Sequence, residues 1–306
     1  MSDISKTVKE IIARYDSGNV PANIDKPRQP SKAAIIDILD CLQKLVFPGY
    51  FEPKKLSREY IEYYVGDLVE NVKYNLEKQM IYAIRCCKDG SKLDEEVKAK
   101  IAAEKTEAFL ATIPKIQELL DTDVQATFDG DPAAASYDEI IYSYPGIYAI
   151  MVARIAHELY VLNVPLIPRI MTEHAHSLTG IDINPGAQIG KYFCIDHGTG
   201  IVIGETTVIG NHVKMYQGVT LGGISTAAGQ QLKGKKRHPT IMDNVTIYSG
   251  ASILGGDTVI GEGTVIGGNV FVTSSVDDNQ RVTIKNQELR FTARRKASGD
   301  DKRKNN

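Results

Sequence analysis

The chain has 306 residues, 42% of them hydrophobic and 24% charged, a size and composition that suit two ordinary globular domains. With 36 Lys and Arg against 38 Asp and Glu, the formal charge of -2 excludes whole-chain attraction to nucleic acid or to an anionic membrane. No stretch has the apolar length of a membrane span and no secretory signal opens the chain, while Cys41, Cys86, Cys87 and Cys194 show neither CxxC spacing nor disulfide density; the reading is a cytoplasmic protein with reduced thiols.

Residues 1–30 read as a loose lead-in, because three prolines and a glycine fall between positions 16 and 30 among few apolar anchors. Residues 31–170 read as a helical domain. Ile35, Leu39 and Leu42, then Tyr64, Leu68, Val72 and Leu76, recur at helical spacing, with breaks at Pro48, Gly49 and Pro53 and at Asp89-Gly90 before a third helix near Leu93. A further helix is expected from Gly146 to Leu162, ended by Pro165 and Pro168. Arg154 and His157 on it read as a polar helix face. His174 and His176, taken as extended chain, would point to opposite sides and could not share one metal ion.

From 171 to 275 the period becomes six. Ile183, Ile189, Ile195 and Ile201 lead to Ile203, Ile209, Met215 and Leu221, and after an interruption to Ile241, Ile247, Ile253, Val259, Val265 and Phe271. Six is even, so these side chains fall on one side of extended strands and form a single apolar seam, with glycines suited to the corners between. A short strand and corner repeated in this way is the signature of a β-solenoid. Residues 222–240 form a long interruption of the kind that usually carries function, and 276–306 read as a C-terminal tail with a basic, solvated end.

Several motifs narrow this reading. Asp182-Ile183-Asn184-Pro185, Ile195-Asp196-His197-Gly198-Thr199-Gly200, Gly204-Glu205-Thr206, Gln217 to Gly223 and Arg237-His238-Pro239, with Asp131-Pro132-Ala133 and Arg154-Ile155-Ala156-His157 before them, resemble in order the signature of the serine acetyltransferases. The resemblance covers roughly residues 129–275 and implies an α+β chain, an N-terminal helical domain followed by a left-handed parallel β-helix of hexapeptide repeats assembled as a trimer, with pairing of two trimers through the helical half as an inference. It implies acetyl transfer from acetyl-CoA to the hydroxyl of L-serine for cysteine biosynthesis, with acetyl-CoA as co-substrate and no tightly bound cofactor or metal.

A serine hydroxyl attacking a thioester needs a general base, and a histidine works best when a carboxylate holds its second ring nitrogen. By family analogy these are His197 and Asp182, fifteen residues apart where three hexads make one coil. The resemblance further implies Arg237 and His238 on the substrate carboxylate and Asp131 and Asp196 on its ammonium, and a bidentate guanidinium suits a carboxylate. Gly222 and Gly223 are candidates for aiming amides at the thioester oxygen, Ser249, Gly250 and Gly268 for the pantetheine arm, and Lys285 or Arg281 for the CoA phosphates. Each has an ordinary alternative: a turn histidine for His197, turn chemistry for Asp182, a cap for Asp131, one more cation in the run Lys233, Lys235, Lys236 for Arg237, and a loop hinge for the glycine pair. L-cysteine, with the same ammonium and carboxylate, is the expected feedback inhibitor.

The chain departs from the family pattern at its end. Instead of a proline-rich turn and a terminal isoleucine it runs through Ser274-Ser275-Val276-Asp277-Asp278 and Ile284 to Arg290 and finishes Arg303-Lys304-Asn305-Asn306, which argues against docking with cysteine synthase. Two competing readings stay open: a hexapeptide acetyltransferase acting on a sugar or other alcohol, and a metal-dependent hydratase with His197, His212 and His238 as ligands across a trimer interface.

Overall fold

The computed structural model describes residues 3–52, 55–225, 229–232 and 234–285. Pro53, Lys233 and the tail from residue 286 onward, to which parts of the sequence reading refer, lie outside the described residues. Among the described residues eight α-helices precede a parallel β-solenoid: α1 (Asp3–Asp16), α2 (Lys32–Val46), α3 (Ile61–Arg85), α4 (Glu95–Leu110), α5 (Ile113–Gly130), α6 (Tyr137–Ser143), α7 (Pro145–Val161) and α8 (Ile167–Thr179).

Local chemistry accounts for most of these boundaries. Ser31 caps α2 by accepting from the Ala34 amide, and the stripe Ile35, Ile38, Leu39, Leu42 and Leu45 turns into the core. In α7 apolar residues run almost all the way round, because it is packed between the other helices and the solenoid. Its apparent polar face is not one. Arg154 is only 5% exposed; its guanidinium donates to both oxygens of Asp123 on α5 at 2.6 and 2.8 Å and to the carbonyls of Ile189 and Gly190 in the solenoid. The amide of Phe193 donates to the same Asp123 carboxylate, so one buried ion pair clamps the helices to the first coil.

Outside the solenoid seam three segments differ from the sequence reading, the third being 276–282, read as tail, where Val276 bridges Ile260 and Arg281–Val282 pair with Val265–Ile266. The lead-in contains α1, whose side chains are all accessible, before the irregular stretch from 17 to 31. Pro168 does not end a helix but sits in the first turn of α8, where its missing N–H costs nothing, and α8 continues to Thr179 before Gly180 turns left-handed. His174 and His176 are therefore helical, not extended.

The first coil is β1 (Asp182–Ile183), β2 (Gln188–Ile189) and β3 (Cys194–Asp196), the second β4 (Val202–Ile203), β5 (Val208–Ile209) and β6 (Lys214–Tyr216), and the third β7 (Thr220–Gly222), β8 (Thr240–Ile241) and β9 (Thr246–Ile247). The fourth is β10 (Ser252–Leu254), β11 (Val259–Ile260) and β12 (Val265–Ile266), with β13 (Phe271–Val272) and β14 (Arg281–Val282) in the last. They stack into three parallel faces, β1-β4-β7-β10-β13, β2-β5-β8-β11 and β3-β6-β9-β12-β14. The expected seam fills the interior as far as Ile253, and then it slips. Val259 and Phe271 are exposed, while Ile260, Ile266 and Val272 are buried and pair in register with Ile241, Ile247 and Ile253. One extra residue in the corner at Gly255, which adopts φ +110°, makes that step seven, and a one-residue slip exchanges the inner and outer faces of a strand.

Candidate active site

The corner after β3 joins the third face to the first. Within β3, Ile195 points inward and Asp196 outward, and His197 follows at φ +59° with its side chain 73% exposed. Its Nε2 lies 3.8 Å from Asp196 Oδ1. Asp196 Oδ2 receives Lys214 Nζ at 3.0 Å from β6 on the next coil. The same ammonium donates to the carbonyl of Gly130 at 2.6 Å, the last residue of α5, and sits 4.6 Å from the centre of the Tyr216 ring. Burial opposes the charge on Lys214, but hydrogen bonding to Tyr216 and Asp196 outweighs it and holds the ammonium above the ordinary lysine range.

Asp131 follows Gly130 directly. The Tyr144 hydroxyl donates to its Oδ2 at 2.7 Å and the Ala133 amide to its Oδ1 at 2.8 Å. These two bonds, and then the charges of Lys214 and His197, hold the Asp131 carboxyl below its usual range, while the Tyr144 phenol is pushed up to about 12. Asp131, Asp196 and His197 thus share one edge of the solenoid.

Asp182 opens β1 of the same coil, fifteen residues before His197. Among the described residues its carboxylate faces α8: Arg169 Nη1 stands 4.0 Å from Asp182 Oδ1, and polar atoms of Glu173, His176 and Asp182 lie within 4.8 Å of one another. Arg169 also pairs with Glu173 at 2.5 Å, so a fixed cation already shares the charge of this cluster. Ser249, Gly250 and Gly268 stand farther along the His197 edge, where a ladder runs from Gly200 N–H to Gly180 O, Gly218 N–H to Thr199 O, Gly250 N–H to Gln217 O and Asn269 N–H to Ser249 O. The Gly250 amide is spent on that ladder, and the space beside its Cα is filled by the Asn269 side chain, whose Oδ1 a Cβ there would strike.

A different corner, between the first and second faces, carries Arg237 and His238. Thr206 is the peg on which they hang: its Oγ1 accepts from the amides of Arg237 at 2.9 Å and His238 at 3.1 Å, and its own amide donates to His238 Nδ1 at 3.0 Å. That last bond leaves Nε2 of the neutral ring as the protonated nitrogen. Lys236 Nζ donates to the Thr206 carbonyl at 2.7 Å. Glu205 Oε2 takes Arg237 Nη2 at 2.5 Å and its Oε1 the Tyr160 hydroxyl at 2.9 Å. Burial pushes the Glu205 carboxyl up, yet Arg237 and Tyr160 outweigh it and the net shift is downward. His238 is pushed down to about 4 by burial and by the neighbouring Arg237 charge. Gly204 is required beneath it, since a Cβ there would lie 2.1 Å from the imidazole Cδ2. Gly222 and Gly223 belong to this edge; a Cβ on Gly223 would lie 3.4 Å from the Arg237 carbonyl.

The sequence-derived residues therefore divide between two corners of one triangular section. The third corner holds His212, whose ring stacks on Tyr192 at 4.2 Å, so within one chain the three histidines of the hydratase reading stand on three separate edges.

No family model matches the chain. Over 253 residues, 81% of this chain and 79% of the other, it is 46% identical to a plasmid serine acetyltransferase of Synechococcus elongatus. The chain belongs to the serine acetyltransferase family. Further serine acetyltransferases of that family are matched over 50–60% of their own length. The fold is similar to that of Entamoeba histolytica serine acetyltransferase 1 in complex with L-cysteine, with TM-score 0.70 and 35% identity over 86% of this chain and 90% of that one. It is also similar to Neisseria gonorrhoeae serine acetyltransferase in complex with serine, with TM-score 0.54 and 28% identity over 81% and 95%. The solenoid is accordingly the left-handed hexapeptide β-helix of an acyltransferase family. Among the described residues no helix is long and apolar enough to cross a membrane.

Glu205 and Thr206 lie in one of the family motifs but carry no assigned task there, and Tyr144, Tyr160 and Lys214 lie outside every motif. No spacing rule finds those three, because each reaches its partner across 13 to 84 residues of chain.

Proposed function

We propose that this chain transfers the acetyl group of acetyl-CoA to Oγ of L-serine. The observation that carries the reading is the pair of complementary half-sites: a prebuilt cation and neutral imidazole at Arg237-His238, and two carboxylates, Asp131 and Asp196, beside an accessible histidine. An acceptor with both a carboxylate and an ammonium matches them.

His197 takes the hydroxyl proton as serine Oγ forms its bond to the acetyl carbon. Asp182 orients that imidazole, and amides near Gly222 and Gly223 meet the thioester oxygen as it gains charge. When the tetrahedral intermediate collapses the C–S bond breaks, and the departing thiolate takes the proton from His197, so that O-acetylserine and free CoA leave. Ser249, Gly250 and Gly268 line the path of the pantetheine arm along the His197 edge.

The two half-sites occupy different corners, so a whole site forms where the His197 edge of one copy meets the Arg237 edge of another. This supports a homotrimer with three sites. L-cysteine carries both charged groups of serine, and the serine acetyltransferase of Entamoeba histolytica binds it; here it would occupy the serine subsite as an inhibitor. The reaction belongs in the cytoplasm, where acetyl-CoA is present.

The test is release of CoA from acetyl-CoA with L-serine, L-homoserine and simple sugars offered in turn. Turnover with L-serine at least tenfold above the other acceptors, roughly the discrimination that one well-placed contact affords, is expected. Preference for a sugar would overturn the reading.

A further inference from the structure

The two carboxylates assigned to the substrate ammonium come from different parts of the fold. Asp131 sits just past the end of α5, while Asp196 belongs to β3. We propose that Lys214 is the positioning residue that makes them one site, its ammonium bridging the end of α5 to Asp196 and so setting where the acceptor ammonium binds.

This rests on the acceptor reading above and extends it to a residue with no role in it. Four observations support it. Lys214 Nζ bonds Asp196 Oδ2 at 3.0 Å and the Gly130 carbonyl at 2.6 Å, so a single group touches one carboxylate and the residue before the other. The Gly130 carbonyl closes the C-terminal end of α5, where the helix dipole favours a cation. The Tyr216 ring lies against the ammonium, and Tyr216 in turn stacks on Tyr248 at 5.0 Å and 6°, so the lysine has a firm platform. A Cβ at residue 130 would lie at ordinary contact distance, 3.4 Å from Lys214 Nζ and 3.6 Å from Cys194 Sγ, so the end of α5 lies directly beside the lysine and β3.

Charge leads to the same conclusion. Two carboxylates alone would offer a charge of about -2 to one ammonium; with Lys214 the set carries about -1, matched to an acceptor with a single cationic group at that end. The buried Arg154–Asp123 pair is a second link between the helices and the solenoid, apart from the Lys214 bond to Gly130.

The experiment compares Lys214→Met and Lys214→Arg with the unaltered chain, varying L-serine and acetyl-CoA separately and recording thermal melting. For Lys214→Met the serine KM should rise about tenfold or more, the worth of a charge-assisted hydrogen bond, with kcat changing by less than roughly threefold and the acetyl-CoA KM nearly constant. Lys214→Arg, which keeps the charge and reach, should recover most of that loss. The double variant Lys214→Met with Asp196→Asn should cost less than the product of the single effects, because the lysine acts through that carboxylate. An unchanged or lowered serine KM overturns the proposal, as does a parallel loss in kcat and both KM values with a lowered Tm, which marks general loosening. Asp131→Asn and Asp196→Asn separate this from failure of the acceptor reading. If both raise serine KM and Lys214→Met does not, only the role of Lys214 falls; if neither does, the ammonium site itself is misplaced.

Discussion

The two edges that carry the candidate site are built in opposite ways. On the Arg237 edge each group is fixed before any ligand arrives: Thr206 receives two amides, Glu205 holds the guanidinium, and His238 is buried and locked in one tautomer. On the His197 edge the imidazole is open to solvent, with Asp196 Oδ1 3.8 Å away. Recognition of a carboxylate needs a rigid fork, which costs least when organised in advance, whereas a general base has to reach a proton on an incoming substrate. The fold places rigidity where the substrate carboxylate is read and leaves the base itself accessible where the substrate reacts.

The largest expected effect breaks the open edge. His197→Asn should lower kcat by roughly a hundredfold to ten-thousandfold, the worth of a positioned base, while equilibrium binding of acetyl-CoA survives. Near-native turnover in that variant would remove His197 from the chemistry.

Next in size is Arg154→Ala, which strands the Asp123 carboxylate, already pushed up by its burial, without its partner. Denaturant unfolding should show a loss of about 3–5 kcal/mol. Because that pair seats the helices against the first coil, the variant should damage the Asp131 side of the ammonium site before it touches Arg237 and His238. A loss under about 1 kcal/mol, the range of a surface pair, would contradict the clamp.

Arg237→Ala sharpens the contrast from the other side. The serine KM should rise roughly ten- to a hundredfold, as for loss of a hydrogen bond to a charged group, with kcat and acetyl-CoA KM little changed. Competition by L-cysteine against serine should weaken in step, read with a detection method indifferent to thiols. Collapse of acetyl-CoA binding instead would give this edge to the other substrate.

The smallest effect is a pH dependence. His238 is held at about 4, below the ordinary value of about 6.5, so the unfolded chain binds the proton more readily. The contribution of neutral His238 to stability is fully present above about pH 6.5 and is lost as the pH falls through about 4. Melting of the unaltered chain and of His238→Asn should therefore converge across that window. Parallel curves would show that His238 is not held neutral by the fold.

By itself the sequence determined the architecture and the chemical cast. A period of six leaves no choice about which side of a strand an isoleucine occupies, so the solenoid was legible from Ile183 to Ile253, and the motif order placed His197, Arg237 and His238 in one family. Only the tertiary structure decided the rest. Val259 and Phe271 turned outward because one added corner residue changes the phase, and a period alone does not register an insertion before the next strand pairs. Pro165 and Pro168 read as helix stops, yet α8 begins at Ile167, since proline forbids a helix interior and not a first turn. Arg154 looked like helix surface because burial is set by what packs on a helix, here Asp123 and the first coil. Which corner each site residue occupies, and that Lys214 reaches Gly130 across 84 residues, follow from how the coils stack, a property of contacts between distant segments that no local pattern records.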